Sequence, residues 1–248
     1  MKQVLTVVIA VVASLVAVWV VGPKDEALVP QETAYERVMR TGVLRCGYAA
    51  APPALVVDPN TKVISGLDYD IVTAMAAKLG LKVEWVEETG FGVTPLGLGS
   101  GKFDMLCTGN WIDSRKAKTI FATVPYYYNP VFAVVRADDT RFDGNLRAIN
   151  SPEVIVAGID NDPTVHIATE SFPLAKRMIL PDIVSMAEIG ETLYGRKADV
   201  AFLPYWMWTD YEQTNPGQLK VAEPSVRMLP VGSELPPAST LKYMVDVA

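Results

Sequence analysis

The chain has one histidine, two cysteines and no excess of positive charge: 22 Lys and Arg stand against 28 Asp and Glu, a formal net charge of -6 over 248 residues. Each scarcity excludes something. Without a basic stripe to displace counterions from phosphate, nucleic acid is not a partner. Two thiols and the single His166 cannot supply a tetrahedral ligand set, so no metal is expected, and nothing in the sequence calls for a cofactor. A charged fraction of 20% argues against disorder, and the length suits one large or two small domains.

The hydrophobic content of 50% is inflated by the N-terminus. Lys2 precedes an apolar run from Val4 to Gly22, broken only by Thr6 and Ser14, which is long enough to cross a bilayer as a helix. It exceeds an ordinary signal-peptide core, and no small-x-small cleavage site follows, so an uncleaved anchor is expected over a removed signal. Lys2 inside and the bulk of the chain outside is the orientation that the positive-inside rule favours. The leader has no cysteine to carry a lipid.

Between Gly66 and Tyr128 the residues spell an ordered series of elements. Ile71, Met75 and Leu79, widened by Val72 and Ala76, predict a helix capped by Asp68 or Asp70 and ended by Gly80. Leu81, Val83 and Trp85 alternate with Lys82 and Glu84 and predict a strand with one buried face. Val43 to Gly47 and Phe103 to Cys107 read as two more strands. Helical crossovers of this length make such strands parallel, and ligands bind beyond their carboxyl ends. Those ends run into Tyr48 on one side and Thr108, Gly109, Asn110 and Trp111 on the other. Asp113 or Ser114 can then cap a short helix, placing Arg115 in its first turn, where unpaired N–H groups and a guanidinium fork suit a carboxylate.

Gly66-Leu67-Asp68-Tyr69-Asp70, Leu79-Gly80, Gly101-Lys102-Phe103-Asp104, Ser114-Arg115 and Pro125-Tyr126-Tyr127 together resemble the extracellular solute-binding proteins of family 3, over residues 41 to 248. The resemblance implies an α/β, two-lobed type II periplasmic-binding-protein fold with mostly parallel sheets and a hinge, preceded here by one N-terminal hydrophobic helix. It implies a membrane segment over 1–23, a linker over 24–40, a first lobe over 41–132 completed by 230–248, and a second lobe over 133–229. In that second lobe, strands near Val154 to Gly158, Ile179-Leu180 and Asp199 to Leu203 would alternate with helices after Pro163 and around Met186 to Tyr194. Gly195 to Asp199 repeats the local plan of Gly101 to Asp104. Relatives continue with more helix beyond Ala248, which implies an apolar patch on the first lobe.

The same resemblance makes the strands of Cys46 and Cys107 neighbours, so an oxidising periplasm could join them. The alternative, and the one adopted as the expectation, is two small buried hydrophobes, because a bridge across adjacent parallel strands needs unusual geometry.

By resemblance, Arg115 grips a ligand carboxylate, Thr108 and Gly109 meet the ligand at the strand end, and Thr164 supplies a second-lobe hydroxyl. Three positions depart from the pattern: Pro204 stands where amino-acid binders place an aspartate for the ligand ammonium, and Pro52 and Ala54 stand where aromatics sandwich it. Asp160 and Asp162 could receive a cation instead, their plain alternative being turn and cap duty. Trp111, Tyr205 and Trp206 could supply stacking or cation–π faces, or simply pack. The function implied is a membrane-tethered periplasmic protein that closes on a small, carboxylate-bearing solute and hands it to an ABC permease. A dehydratase using Asp160, Asp162, His166 or Glu170 is an alternative, although their spacing forms no recognisable catalytic set. A sensor or scaffold with a degenerate cleft is another.

Overall fold

Two parallel wings joined by an antiparallel centre make up the main sheet, in the order β4-β1-β5-β11-β7-β10-β8-β9. The computed structural model describes residues 32–90, 94–160, 162–181, 184–237 and 239–248. The Val4 to Gly22 run lies outside them; among the described residues no helix is long and apolar enough to cross a membrane.

The first wing holds β1 (Val43–Tyr48) between β4 (Lys82–Glu88) and β5 (Met105–Trp111), parallel to both. The second holds β8 (Ile155–Ile159) between β9 (Lys176–Leu180) and β10 (Val200–Pro204), again parallel. Between them run β7 (Tyr127–Arg136) and β11 (Leu219–Leu235), antiparallel to one another. Their register slips between Ala222 and Arg227, leaving β11 with a four-residue irregularity at the middle of the crossing. Minor strands are β2 (Val56–Val57), β3 (Ile64–Ser65) and β6 (Phe121–Ala122).

Helices cover the wings: α1 (Ala34–Thr41), α2 (Leu67–Lys78), α3 (Thr94–Gly99) and α7 (Thr240–Asp246) on the first, and α4 (Pro163–Ser171), α5 (Met186–Tyr194) and α6 (Tyr205–Thr214) on the second. Val38, Leu44, Val72, Met105, Leu235 and Leu241 pack one core. Val156, Phe172 and Phe202 lead a second, and Ile189, Leu193 and Tyr211 a third, on opposite faces of the second wing. Val124, Tyr243 and Val247 stand exposed around α7.

Several expectations are revised. The buried stripe of α2 is Val72 and Ala76, with Ile71 and Leu79 at its margin. Gly66, not Asp68 or Asp70, occupies its N-cap, and no side chain caps it. Asp68 turns inward instead. Gly80 does sit left-handed at φ 69° after the last turn, as the sequence suggests. The strand expected to end at Cys107 starts two residues later than Phe103 and continues to Trp111, because β11 pairs with its distal half, Val231 opposite Trp111 and Gly232 opposite Asn110.

Cys46 and Cys107 are joined as a disulfide, overturning the expectation of two free thiols. Both side chains enter the same core from adjacent strands β1 and β5, and the Cα atoms lie 5.4 Å apart, within the span a disulfide bridges.

The shared local plan of the two wings has a physical basis. Asp104, fully buried before β5, accepts from the backbone N–H of Arg45 in β1 at 2.8 Å and pairs with Arg37 and with Arg45. Asp199, before β10, accepts from the N–H of Ile155 in β8 at 2.9 Å and pairs with Arg136 and Arg141. Each aspartate staples the start of its strand to the neighbouring one.

Candidate ligand cleft

The carboxyl ends of both wings converge beside the β7/β11 crossing, where strand ends leave polar backbone and side chains unpaired by any ladder. A shallow recess, continuous with solvent, lies there. Gly158 and Ile159 at the end of β8, Leu203 and Pro204 at the end of β10, and Asp162 and Thr164 at the start of α4 form one wall. Ile189 of α5 and Met207 of α6 form its apolar floor, and Trp111 closes it from the first wing. Trp111 also packs against the core of the second wing, so the two halves touch through it.

Local chemistry explains these placements. Pro163 fits the first turn of α4, where its missing N–H is not needed, and Asp162 caps it, its Oδ1 accepting from the Thr164 N–H at 2.8 Å and hydroxyl at 2.5 Å. Cap duty is therefore what the structure assigns to Asp162. Pro204 ends β10 and occupies the N-cap of α6. Tyr205 opens that helix half exposed, its ring 5.7 Å from Phe132 and 5.6 Å from Trp208. Asp160 follows β8 at the surface, its backbone N–H bonded to Leu180, and does not line the recess.

On the first wing, most nominated polar groups are spent internally. The buried Thr108 hydroxyl donates to the Ala49 carbonyl and accepts from the Ala49 N–H, both at 2.9 Å. The Gly109 N–H donates to Asp68 at 2.8 Å. Asn110 donates to Glu234 at 2.8 Å and accepts from the Trp111 N–H at 2.8 Å. Tyr48 packs edge-on to Trp85, which in turn stacks on Tyr69, so its ring serves the packing of α2.

Arg115 sits before a three-residue 3-10 turn, Lys116–Lys118, not in the first turn of an α-helix. The Asp113 carboxylate draws both the Arg115 backbone N–H, at 3.0 Å, and the Nε, at 2.7 Å, and also pairs with Nη2. One edge of the guanidinium is thus held, and Nη1 has no hydrogen-bond partner among the described residues. The paired guanidinium keeps the Asp113 carboxyl below the usual carboxylate range, with His166 adding to the effect. Glu170 of α4 is lowered chiefly by its hydrogen bond to Arg227 at 2.8 Å, and the fields of His166 and Arg115 reach it as well. Arg115 and the face of α4 are therefore electrostatic neighbours.

Sequence reasoning missed the network behind this wall. Asp68 is fully buried, its Oδ2 accepts from the Gly109 N–H, and its Oδ1 lacks a partner among the described residues. Burial raises its carboxyl above the ordinary value and also raises the phenols of Tyr126 and Tyr127. An added Cβ on Gly109 would lie 2.7 Å from Val231 and 2.9 Å from both tyrosine hydroxyls, so only glycine fits. The Gly66 to Asp70 phrase was the available signal, but in it Asp68 reads equally as a helix cap.

Two parallel wings, a double-strand crossing and a recess at the converging carboxyl ends define a two-lobed periplasmic-binding-protein fold. Residues 44–228 match the bacterial extracellular solute-binding proteins, family 3, and the chain belongs to that family. Proteins of that family are described as extracellular and solute-binding. The chain is 27% identical over 104 residues to a probable amino-acid ABC transporter-binding protein of Haemophilus influenzae, a match spanning 42% of this chain and 40% of that protein. It is 33% identical over 64 residues to a probable histidine-binding protein of Campylobacter jejuni subsp. jejuni, spanning 26% of this chain and 25% of that one. The chain thus matches less than half the length of either curated relative. In fold it resembles the crystal structure of an ancestral amino acid-binding protein described as a precursor of cyclohexadienyl dehydratase, with a TM-score of 0.67 and 24% identity over 87% of this chain and 91% of that one.

Proposed function

We propose that the chain is an amino-acid-type solute-binding protein that encloses a small carboxylate-bearing solute between its lobes and presents it to an ABC permease. The observation that carries this reading is the unengaged edge of Arg115, whose field reaches Glu170 on α4, the helix whose first turn lines the recess. Asp113 holds the guanidinium by its side, leaving the end of the fork for a second carboxylate. Closure is a hinge motion about β7 and β11, stabilised by contacts that both lobes make to the solute at once. The lobes are taken as 41–132 with 230–248, and 133–229. No bond is broken, and the names of both curated relatives as binding proteins support that reading.

In this reading the nominated residues divide. Arg115, Trp111 and Thr164 face the solute, while Thr108, Gly109, Asn110 and Tyr48 shape the wall through their internal bonds. Asp160 and Tyr205 stand at the rim, and Asp162 fixes the start of α4. The apolar run from Val4 to Gly22 serves as a tether in the inner membrane, and the chain is expected to resist carbonate extraction from membranes.

The test is direct. Thermal melting across a panel of amino acids, dicarboxylates, polyamines and aromatic acids should find at least one carboxylate that raises stability, since a ligand of the folded state must do so. Arg115→Ala is expected to weaken that ligand at least about tenfold, the worth of a charge-assisted hydrogen bond. Unchanged affinity would sink the assignment.

A further inference from the structure

The recess beside Trp111 is built for a group without charge. We infer that the side chain of the bound solute is apolar, aliphatic or aromatic, and that basic amino acids are poor ligands. The inference rests on the preceding reading that a small carboxylate or amino acid fills the cleft, and goes beyond it by naming the side chain.

The lining decides the matter. Ile159, Ile189, Leu203 and Met207 line the space from four elements of the second wing, and Trp111 covers it from the first. Ile189 and Leu203 are themselves buried members of the core, so the recess is an extension of that core toward the cleft. Among the described residues Asp162 is the single charged one in the lining, and its Oδ1 already takes two hydrogen bonds from Thr164. Pro204, at the end of β10, brings no charge and no N–H donor.

An ammonium or guanidinium moved into such a space loses its hydration and finds no carboxylate committed to it, a heavy penalty in a region of low polarity. The indole face could attract a cation, but that attraction does not replace lost water when the opposite walls are aliphatic. An aliphatic or aromatic side chain meets the reverse situation. It sheds ordered water, touches atoms on every side and leaves no polar group unpaired. The relative named for histidine is similar to this chain over only 26% of its length, so its printed ligand does not set the expectation here.

The experiment is a titration of the full chain with leucine, methionine, phenylalanine and their 2-oxo acids against arginine, lysine and histidine, read by thermal shift and then by calorimetry. The apolar set is expected to bind at least about tenfold more tightly than the basic set, the scale on which apolar pockets discriminate. Met207→Asp places a carboxylate in the floor and is expected to narrow or invert that preference. If that variant loses its cooperative melt, Met207→Ala serves instead, weakening the apolar ligands alone. Equal or tighter binding of arginine, lysine or histidine by the wild-type chain, with Arg115→Ala abolishing it, overturns the inference while leaving the cleft reading intact. Silence toward every compound overturns both.

Discussion

Asp68 and Asp113 are two carboxylates with opposite environments. Asp113 has a guanidinium clamped to it, and its ionised form is favoured. Asp68 is buried against Tyr127 and Gly109 with one oxygen unpartnered, and its neutral form is favoured. The sign of the second effect can be worked out. Its folded-state value lies above the unfolded one of about 3.9, so its contribution to stability is whole below that pH and is lost as pH rises through the raised value. Asp68→Asn can keep the bond from Gly109 while never ionising. That variant is expected to melt about 2–4 °C higher than wild type at pH 7 and to lose the advantage near pH 4, measured by calorimetry across pH. A constant offset at all pH values would contradict the assignment. At Gly109, an alanine would press on Val231 and two phenols and is expected to cost about 1–3 kcal/mol in urea unfolding.

At the scale of elements, the two aspartate staples carry a sharper expectation. Asp104 holds two arginines and a backbone N–H from a side chain with about 1% exposure. Asp104→Ala would strand Arg37 and Arg45 and is expected to cost about 3–5 kcal/mol, read as a lower urea midpoint with unchanged slope. Asp199→Ala should cost less, because its partner Arg141 is half exposed and water replaces part of the loss. The repeated turn-then-aspartate plan was legible in the sequence because it is local, whereas the staples themselves were not, since each aspartate binds a strand far from it in the chain. Helix α5 was expected from the family resemblance alone, although its start is also written locally, in the capping box of Ser185 and Glu188. The distal half of β5 was not legible, since Thr108 to Trp111 become strand only through β11, more than a hundred residues away. Nor was α6 anticipated. Its sequence, Tyr205 to Thr214, has no clean apolar stripe, and its packing on α5 and β10 decides it. Within the site, residue types could be read but their partners could not. Arg115 was nominated from its spacing and from resemblance, whereas its bond to Asp113 depends on loop geometry that no periodicity reports.

At the scale of the whole molecule, the Cys46–Cys107 bridge closes a loop with a sequence separation of 61 inside the first wing. Replacing both cysteines by serine is expected to cost about 4 kcal/mol by chain entropy, checked by denaturant unfolding of the variant beside the oxidised protein. Equal stability of the two would assign the cysteines a packing role alone. The bridge and the Asp104 staple lie within the first wing, the Asp199 staple ties the second wing to the near end of β7 through Arg136, and none of the three joins one wing to the other.

That distribution sets where the molecule can bend. Each wing behaves as a stiff plate cross-braced along its own strands, while the joint is a two-strand ribbon with a misfit of four residues, 223–226, at its midpoint. Strain applied anywhere on the plates is conducted to that ribbon, as load on a clamshell reaches its spring. Shortening the misfit or straightening it into regular pairing would stiffen the spring, and the opening angle of the shell would then respond before the affinity of its contents.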